Sequence, residues 1–159
     1  RTGRMFTGDR SGQWLYRALY KAGLAKHQGY ESRDDGQELY SCYITAAVHC
    51  APPENKPSLE EKQQCLTYLR QELRLLSQVS VIIALGAMAW DQILKVYFEQ
   101  YERIRPKPTF SHGAQIELRP YTLIGSYHPS QQNTFTGKLR EEMFDKIFRQ
   151  ARADIEKKT

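Results

Sequence analysis

Two apolar runs constrain this chain more than anything else in it. The first is "VSVIIAL", residues 79–85, and the second is "YTLIGSY", residues 121–127. Neither shows the alternation of a strand with one wet face. A run this short and this apolar reads as a strand covered on both sides, the situation of an inner strand in a sheet sandwiched by helices. The chain must therefore supply helices for two faces, and it does. Strand and helix patterns alternate along it, which implies an α/β fold with a largely parallel sheet and right-handed crossovers.

The helix patterns are specific. Residues 13–22 place Trp14, Leu15, Ala18, Leu19 and Ala22 on one face, with Gly23 as a stop signal. Ser58 and Glu61 form a capping-box pattern ahead of a helix carrying Leu66, Leu69, Leu73 and Leu76. Gly86 turns the chain from the first apolar strand into a helix over residues 87–98. The last helix, residues 138–156, turns Leu139, Met143, Phe144, Ile147, Phe148, Ala151 and Ile155 inward. A further strand is expected at "YSCYITAAV", residues 40–48, from its β-branched and aromatic content. Residues 26–38 read as a charged surface loop, and residues 131–137 as a polar loop. No repeat or low-complexity tract interrupts the series.

In open α/β sheets ligands bind beyond the carboxyl ends of the strands. The segments at those ends are "HCAPPENKP", the Gly86 turn and "HPSQQNTFTG", and the glycine-rich "GRMFTGDRSG" that opens a helix is expected to join them. The 159 residues carry a formal charge of +5, which permits an anionic partner without requiring one. No stretch is long and apolar enough for a membrane span. Three cysteines, an odd number, do not make a secreted disulfide framework.

Each polar candidate has a chemical and a structural reading. His128, at the tip of the second apolar strand, donates a hydrogen bond to charge on a leaving group, or caps a backbone carbonyl. Asp9 orients a water or offsets a cation, or caps the helix that follows in competition with Ser11. Phe6 stacks on a base or packs in the core. Asn55 is a ligand-facing or a turn-forming amide. Arg10, Lys56, Lys138 and Arg140 meet phosphates or water. Cys50 and Cys65 are metal thiolates or buried thiols, and they lack the close CxxC spacing of a strong metal motif. His49, His112 and His128 lack the spacing of a hydrolytic metal shell, and no GxGxxG or Walker motif supports nucleotide binding.

Taken together, "RTGRMFTGD" (residues 1–9), "YITAAVHCAPPENKP" (residues 43–57), "VIIALG" (residues 81–86) and "SYHPSQQNTFTG" (residues 126–137) resemble the uracil-DNA glycosylase superfamily. The likeness is greatest to its type-b branch, family 5. The resemblance implies a three-layer α/β/α sandwich with a central, mainly parallel sheet. It implies a DNA repair glycosylase that flips out uracil and other deaminated bases and hydrolyses them from double-stranded DNA as a cytoplasmic, nucleoid-associated monomer. It assigns catalysis to Asp9, His128 and Asn55. Base binding falls to Phe6 and Ala46, and DNA contact to Arg10, Lys56, Ser130, Gln131 and Asn133. Cys50 and Cys65 match two of the four ligands of a structural 4Fe-4S cluster.

Two departures from the family pattern shape further expectations. The family's first strand, first glycine-rich motif and N-terminal cysteine pair are expected upstream of Arg1, so the glycosylase-like domain over residues 1–159 is expected to be incomplete at its N-terminus. Ala46 stands where uracil-selective branches carry an asparagine, which implies a wider base range. A non-catalytic DNA-binding protein on the same fold is the alternative, and it would tolerate loss of Asp9 and His128.

Overall fold

The computed structural model describes residues 4–32, 34–49 and 58–158. The chain divides into two compact units, one made of Arg1–Thr45 and Ser126–Thr159, the other of Ala46–Gly125.

The first unit is built on two long helices. Helix α1 spans Arg10–Lys21, three residues longer at its start than the periodicity predicts, because Asp9 and not Ser11 is its cap. The Asp9 side chain accepts the Gly12 N–H at 3.0 Å, while Ser11 is buried inside the first turn. Gly23, at φ 70°, ends α1 as expected, and Leu24 N–H returns to the Leu19 carbonyl. The terminal helix of this unit, Glu141–Lys158, has Glu141 and Glu142 in its first turn and lysines in its last, the arrangement a helix dipole favours. The two helices pack through Trp14 and Phe144, whose rings meet edge-on at 6.1 Å. Asp145, nearly buried, is held by Arg17 at 3.0 Å and Lys21 at 2.8 Å, and Arg17 also pairs with Glu141.

The second unit holds the sheet. Helix α2, Leu59–Leu75, begins with the complete reciprocal Ser58–Glu61 capping box. Strand β1 is Val81–Leu85, followed through Gly86 by α3, Ala87–Gln100. Strands β2, Gln115–Leu118, and β3, Tyr121–Ser126, form an antiparallel hairpin pairing Leu118 with Tyr121 and Gln115 with Ile124. The described sheet has the order β1-β3-β2, so β3 is central, and every residue of β3 is buried. Leu66, Leu69, Trp90, Leu94, Leu118 and Leu123 form the core of this unit. The Trp90 indole donates to the Pro108 carbonyl.

The fold is thus α/β, with three departures from expectation. The described sheet is mixed where a mainly parallel one was expected, because β2 precedes β3 through a two-residue turn at Arg119–Pro120. Residues 40–48 form no strand: the nearest pairing is an isolated Ala25–Leu39 bridge. High β-propensity makes a strand only where a neighbour completes the ladder, and among the described residues none does so there. The expected polar loop contains a short helix, α4, Gln131–Phe135. The terminal helix Glu141–Lys158 is then α5. Among the described residues no helix is long and apolar enough to cross a membrane.

Candidate functional site

The first unit brings three of the expected residues together. The segment ahead of α1 is a tight loop tied to its own backbone. Thr7 Oγ1 donates to the Arg4 carbonyl at 2.6 Å, and the buried Tyr16 hydroxyl donates from α1 to the Met5 carbonyl at 3.2 Å. Arg4 pairs with Asp35 at 3.1 Å. Inside this loop Phe6 has φ 54°, a left-handed backbone that a bulky residue rarely adopts. Asp9 closes the loop as the cap of α1, an exposed carboxylate at the positive end of the helix.

His128 meets this loop. Its ring centroid lies 5.7 Å from that of Phe6, with the planes tilted by 32°. Burial lowers the His128 pKa below its ordinary value, and the nearby Asp9 charge opposes that shift. Burial prevails, which favours a neutral imidazole able to donate one N–H.

The segment after His128 is organised around it. Ser130 caps α4 by accepting the Asn133 N–H. The Asn133 amide donates to the His128 carbonyl at 2.9 Å. Leu139 N–H donates to the Asn133 carbonyl, which fastens the far end of the segment. Of the polar residues expected to meet DNA, Asn133 therefore holds the His128 backbone and Ser130 holds Asn133, while Gln131 is exposed. Phe135 projects into solvent at 64% exposure, and the Arg10 guanidinium lies 4.7 Å over its ring. The Lys138 ammonium lies 4.7 Å over Tyr127.

Chemically the arrangement is an aromatic face beside a neutral imidazole, with a carboxylate at the head of a helix and cations at the rim. It can stack a flat heterocycle, donate to an oxygen of that ring and hold negative charge nearby.

The remaining expected residues lie elsewhere. Asn55, Lys56 and Cys50 fall outside the described residues. Ala46 belongs to the second unit and is half-buried. Cys65, also in that unit, is buried, and its Sγ accepts the His49 backbone N–H at 3.4 Å. The His49 ring lies 5.0 Å from that of Tyr68. Among the described residues no group of three His, Cys, Asp or Glu side chains is gathered to hold a metal ion. Gly12 and Tyr16 were not anticipated. A glycine inside the first turn of a helix costs about 1 kcal/mol against alanine, so its presence there was a signal of close packing.

The chain also has relatives among known proteins. The chain is 47% identical over 154 residues to the type-5 uracil-DNA glycosylase of Mycobacterium tuberculosis, covering 96% of this chain and 56% of that protein. It is 44% identical over 153 residues to the type-5 uracil-DNA glycosylase of Thermus thermophilus, covering 96% of this chain and 68% of the relative. The type-5 uracil-DNA glycosylase of Pyrobaculum aerophilum is 42% identical over 154 residues, covering 97% and 65%. The chain thus spans between roughly half and two-thirds of the length of these relatives. Residues 1–152 match the family model of the uracil DNA glycosylase superfamily, and the chain belongs to that superfamily.

Proposed function

We propose that the protein is a monofunctional DNA N-glycosylase that hydrolyses uracil, and other deaminated bases, from double-stranded DNA and leaves an abasic site. The observation that carries this reading is the juxtaposition of Phe6, His128 and Asp9 in one unit. The names and identities of the relatives support it. In this reading the protein acts as a monomer, and its work is on the nucleoid in the cytoplasm.

The target nucleotide first leaves the helix, which costs a few kcal/mol and least at a wobble pair. The Phe6 ring offers a face on which the extruded base stacks, worth about 1–3 kcal/mol. The bond from C1′ to the base nitrogen then breaks, and its electron pair leaves with the base. Negative charge builds on the base oxygens while the sugar becomes cationic. The neutral His128 N–H donates to a base oxygen more strongly as that charge grows, so it lowers the barrier and not merely the ground state. Asp9 supplies negative charge on the sugar side and takes a proton from the water that adds to C1′. Arg10 and Lys56 track phosphates, and the segment carrying Ser130, Gln131 and Asn133 faces the DNA where the nucleotide leaves. Asn55 contributes an amide near the base. Ala46 offers no side-chain amide to demand the uracil edge, which supports a range wider than uracil alone.

A structural 4Fe-4S cluster fits the one ligand position that can be tested. Cys65 is buried and its sulfur receives a backbone N–H, the kind of bond that stabilises a ligating thiolate. Cys50 and Cys65 are the ligands from this chain. The cluster supplies stability and no step of the hydrolysis.

The test is release of free uracil from a U·G duplex by the full-length protein. Wild-type protein is expected to release it and leave an alkali-labile site. Tight duplex binding with no released base would instead identify a non-catalytic DNA-binding protein.

A further inference from the structure

Phe6 presents its ring to His128 from a left-handed backbone conformation that a bulky residue rarely adopts. Something must hold it there, and the geometry points to Gly12 as the positioning residue for the Phe6 ring. This inference rests on the glycosylase reading above and adds to it a residue that touches neither base nor sugar.

The contact is close. A Cβ built on Gly12 would lie 1.8 Å from the Phe6 carbonyl oxygen and 2.8 Å from its carbonyl carbon. Atoms this near are backbone on both sides, so neither can yield by a change of rotamer. The Phe6 peptide therefore occupies the space that any side chain at position 12 would fill. The same glycine donates its N–H to Asp9 Oδ1 at 3.0 Å. One residue in the first turn of α1 thus governs both ends of the loop: its N–H fixes the Asp9 carboxylate, and its bare Cα seats the peptide that aims Phe6. Tyr16, one turn further along α1, holds the neighbouring Met5 carbonyl through its hydroxyl. Its ring is buried and packs against Tyr30 at 5.5 Å.

Gly12→Ala separates the two roles. Alanine keeps the N–H that Asp9 accepts and adds only the methyl group that evicts the Phe6 carbonyl. The expected consequence is a misplaced aromatic face with an intact helix cap. Single-turnover uracil excision from a U·G duplex, at saturating full-length protein, should fall about tenfold, the scale of one base–aromatic stack. Base extrusion, read by the fluorescence of a 2-aminopurine beside the uracil, should fall with it.

The decisive measurement is a cycle with Phe6→Ala. If Gly12 acts by aiming Phe6, then Gly12→Ala costs nothing further once the ring is gone. Losses that multiply in the double variant would overturn the assignment, as would a wild-type rate in Gly12→Ala itself. Where Gly12→Ala does not fold, Tyr16→Phe decides by the same cycle. It deletes only the hydroxyl on the Met5 carbonyl, and its smaller loss should likewise vanish in the Phe6→Ala background. Multiplying losses there reject the role. Absence of excision by wild-type protein would instead remove the glycosylase reading itself, so the two failures are told apart.

Discussion

The His128 and Phe6 rings lie 5.7 Å apart, bringing together two stretches of the first unit that are more than a hundred residues apart in sequence. The pairing keeps His128 out of water on one side, and desolvation is the larger influence on its charge. An imidazole that stays neutral can donate to a forming anion without the cost of burying a cation.

That neutrality has a pH signature. Burial places the folded His128 pKa below the ordinary 6.5 at which the unfolded chain takes up its proton. Between those two values the unfolded state binds more protons, so stability rises with pH there. The contribution is complete above 6.5 and is lost as pH falls through the lower folded value. The single-turnover excision rate should therefore be flat from neutral pH down to 6.5 and fall only in more acidic buffer. Asp9 raises this pKa, so Asp9→Asn should move the acid limb lower still. An acid limb centred above 6.5 would contradict a buried, neutral His128.

The cysteines should divide by role. Burial pushes the Cys42 thiol up to about 11, so it stays protonated at neutral pH. Cys65 is buried with an N–H on its sulfur. The full-length protein should be brown. Cys65→Ala should bleach it and lower its melting temperature, while Cys42→Ala should keep the colour. Equal absorbance in all three proteins would leave Cys65 as a packed thiol.

Much of this was legible where a residue's chemistry acts locally. The Ser58–Glu61 box, the Gly23 stop and the two apolar strands are set by near neighbours in sequence, and each appears where its pattern predicts. What depends on a distant partner was not. The residues 40–48 have the composition of a strand but no ladder, whereas Gln115 to Leu118 become β2 through their pairing with β3. Ser130 caps a short helix where polarity alone predicts a loop. In the site, His128 and Asp9 stood out as polar groups at element ends. Phe6 was legible as an aromatic candidate, but its left-handed backbone was not, because that conformation is decided by Gly12 and Tyr16 from the next helix.

Arg10 offers a separate check on the DNA-facing rim. Its guanidinium sits over the exposed Phe135 ring, a cation–π contact worth about 0.5–1 kcal/mol at such a site. A phosphate competes readily for a cation held that weakly. Arg10→Gln should weaken duplex binding regardless of sequence and reduce the dependence of log affinity on log salt by about one. An unchanged slope, measured by fluorescence anisotropy at several salt concentrations, would restrict Arg10 to packing on Phe135.

The chemical step should separate Asp9 and His128 from all of these. Asp9 has two occupations, as the cap that accepts Gly12 N–H and as the charge near the sugar. Asparagine is as good a cap as aspartate, so Asp9→Asn should cost at most a few tenths of a kcal/mol of stability, whereas Asp9→Ala should cost about 1 kcal/mol. Catalysis should rank them differently. Both variants lose the charge, so both should slow single-turnover uracil release by on the order of a hundredfold, with duplex affinity nearly unchanged. His128→Ala should slow release by a similar factor through loss of the donor to the departing base. If rate followed stability instead, with Asp9→Asn near wild type and only Asp9→Ala impaired, the carboxylate would be a helix cap and nothing more. The negative charge on the sugar side would then have to come from another residue, while the role of His128 would stand or fall on its own variant.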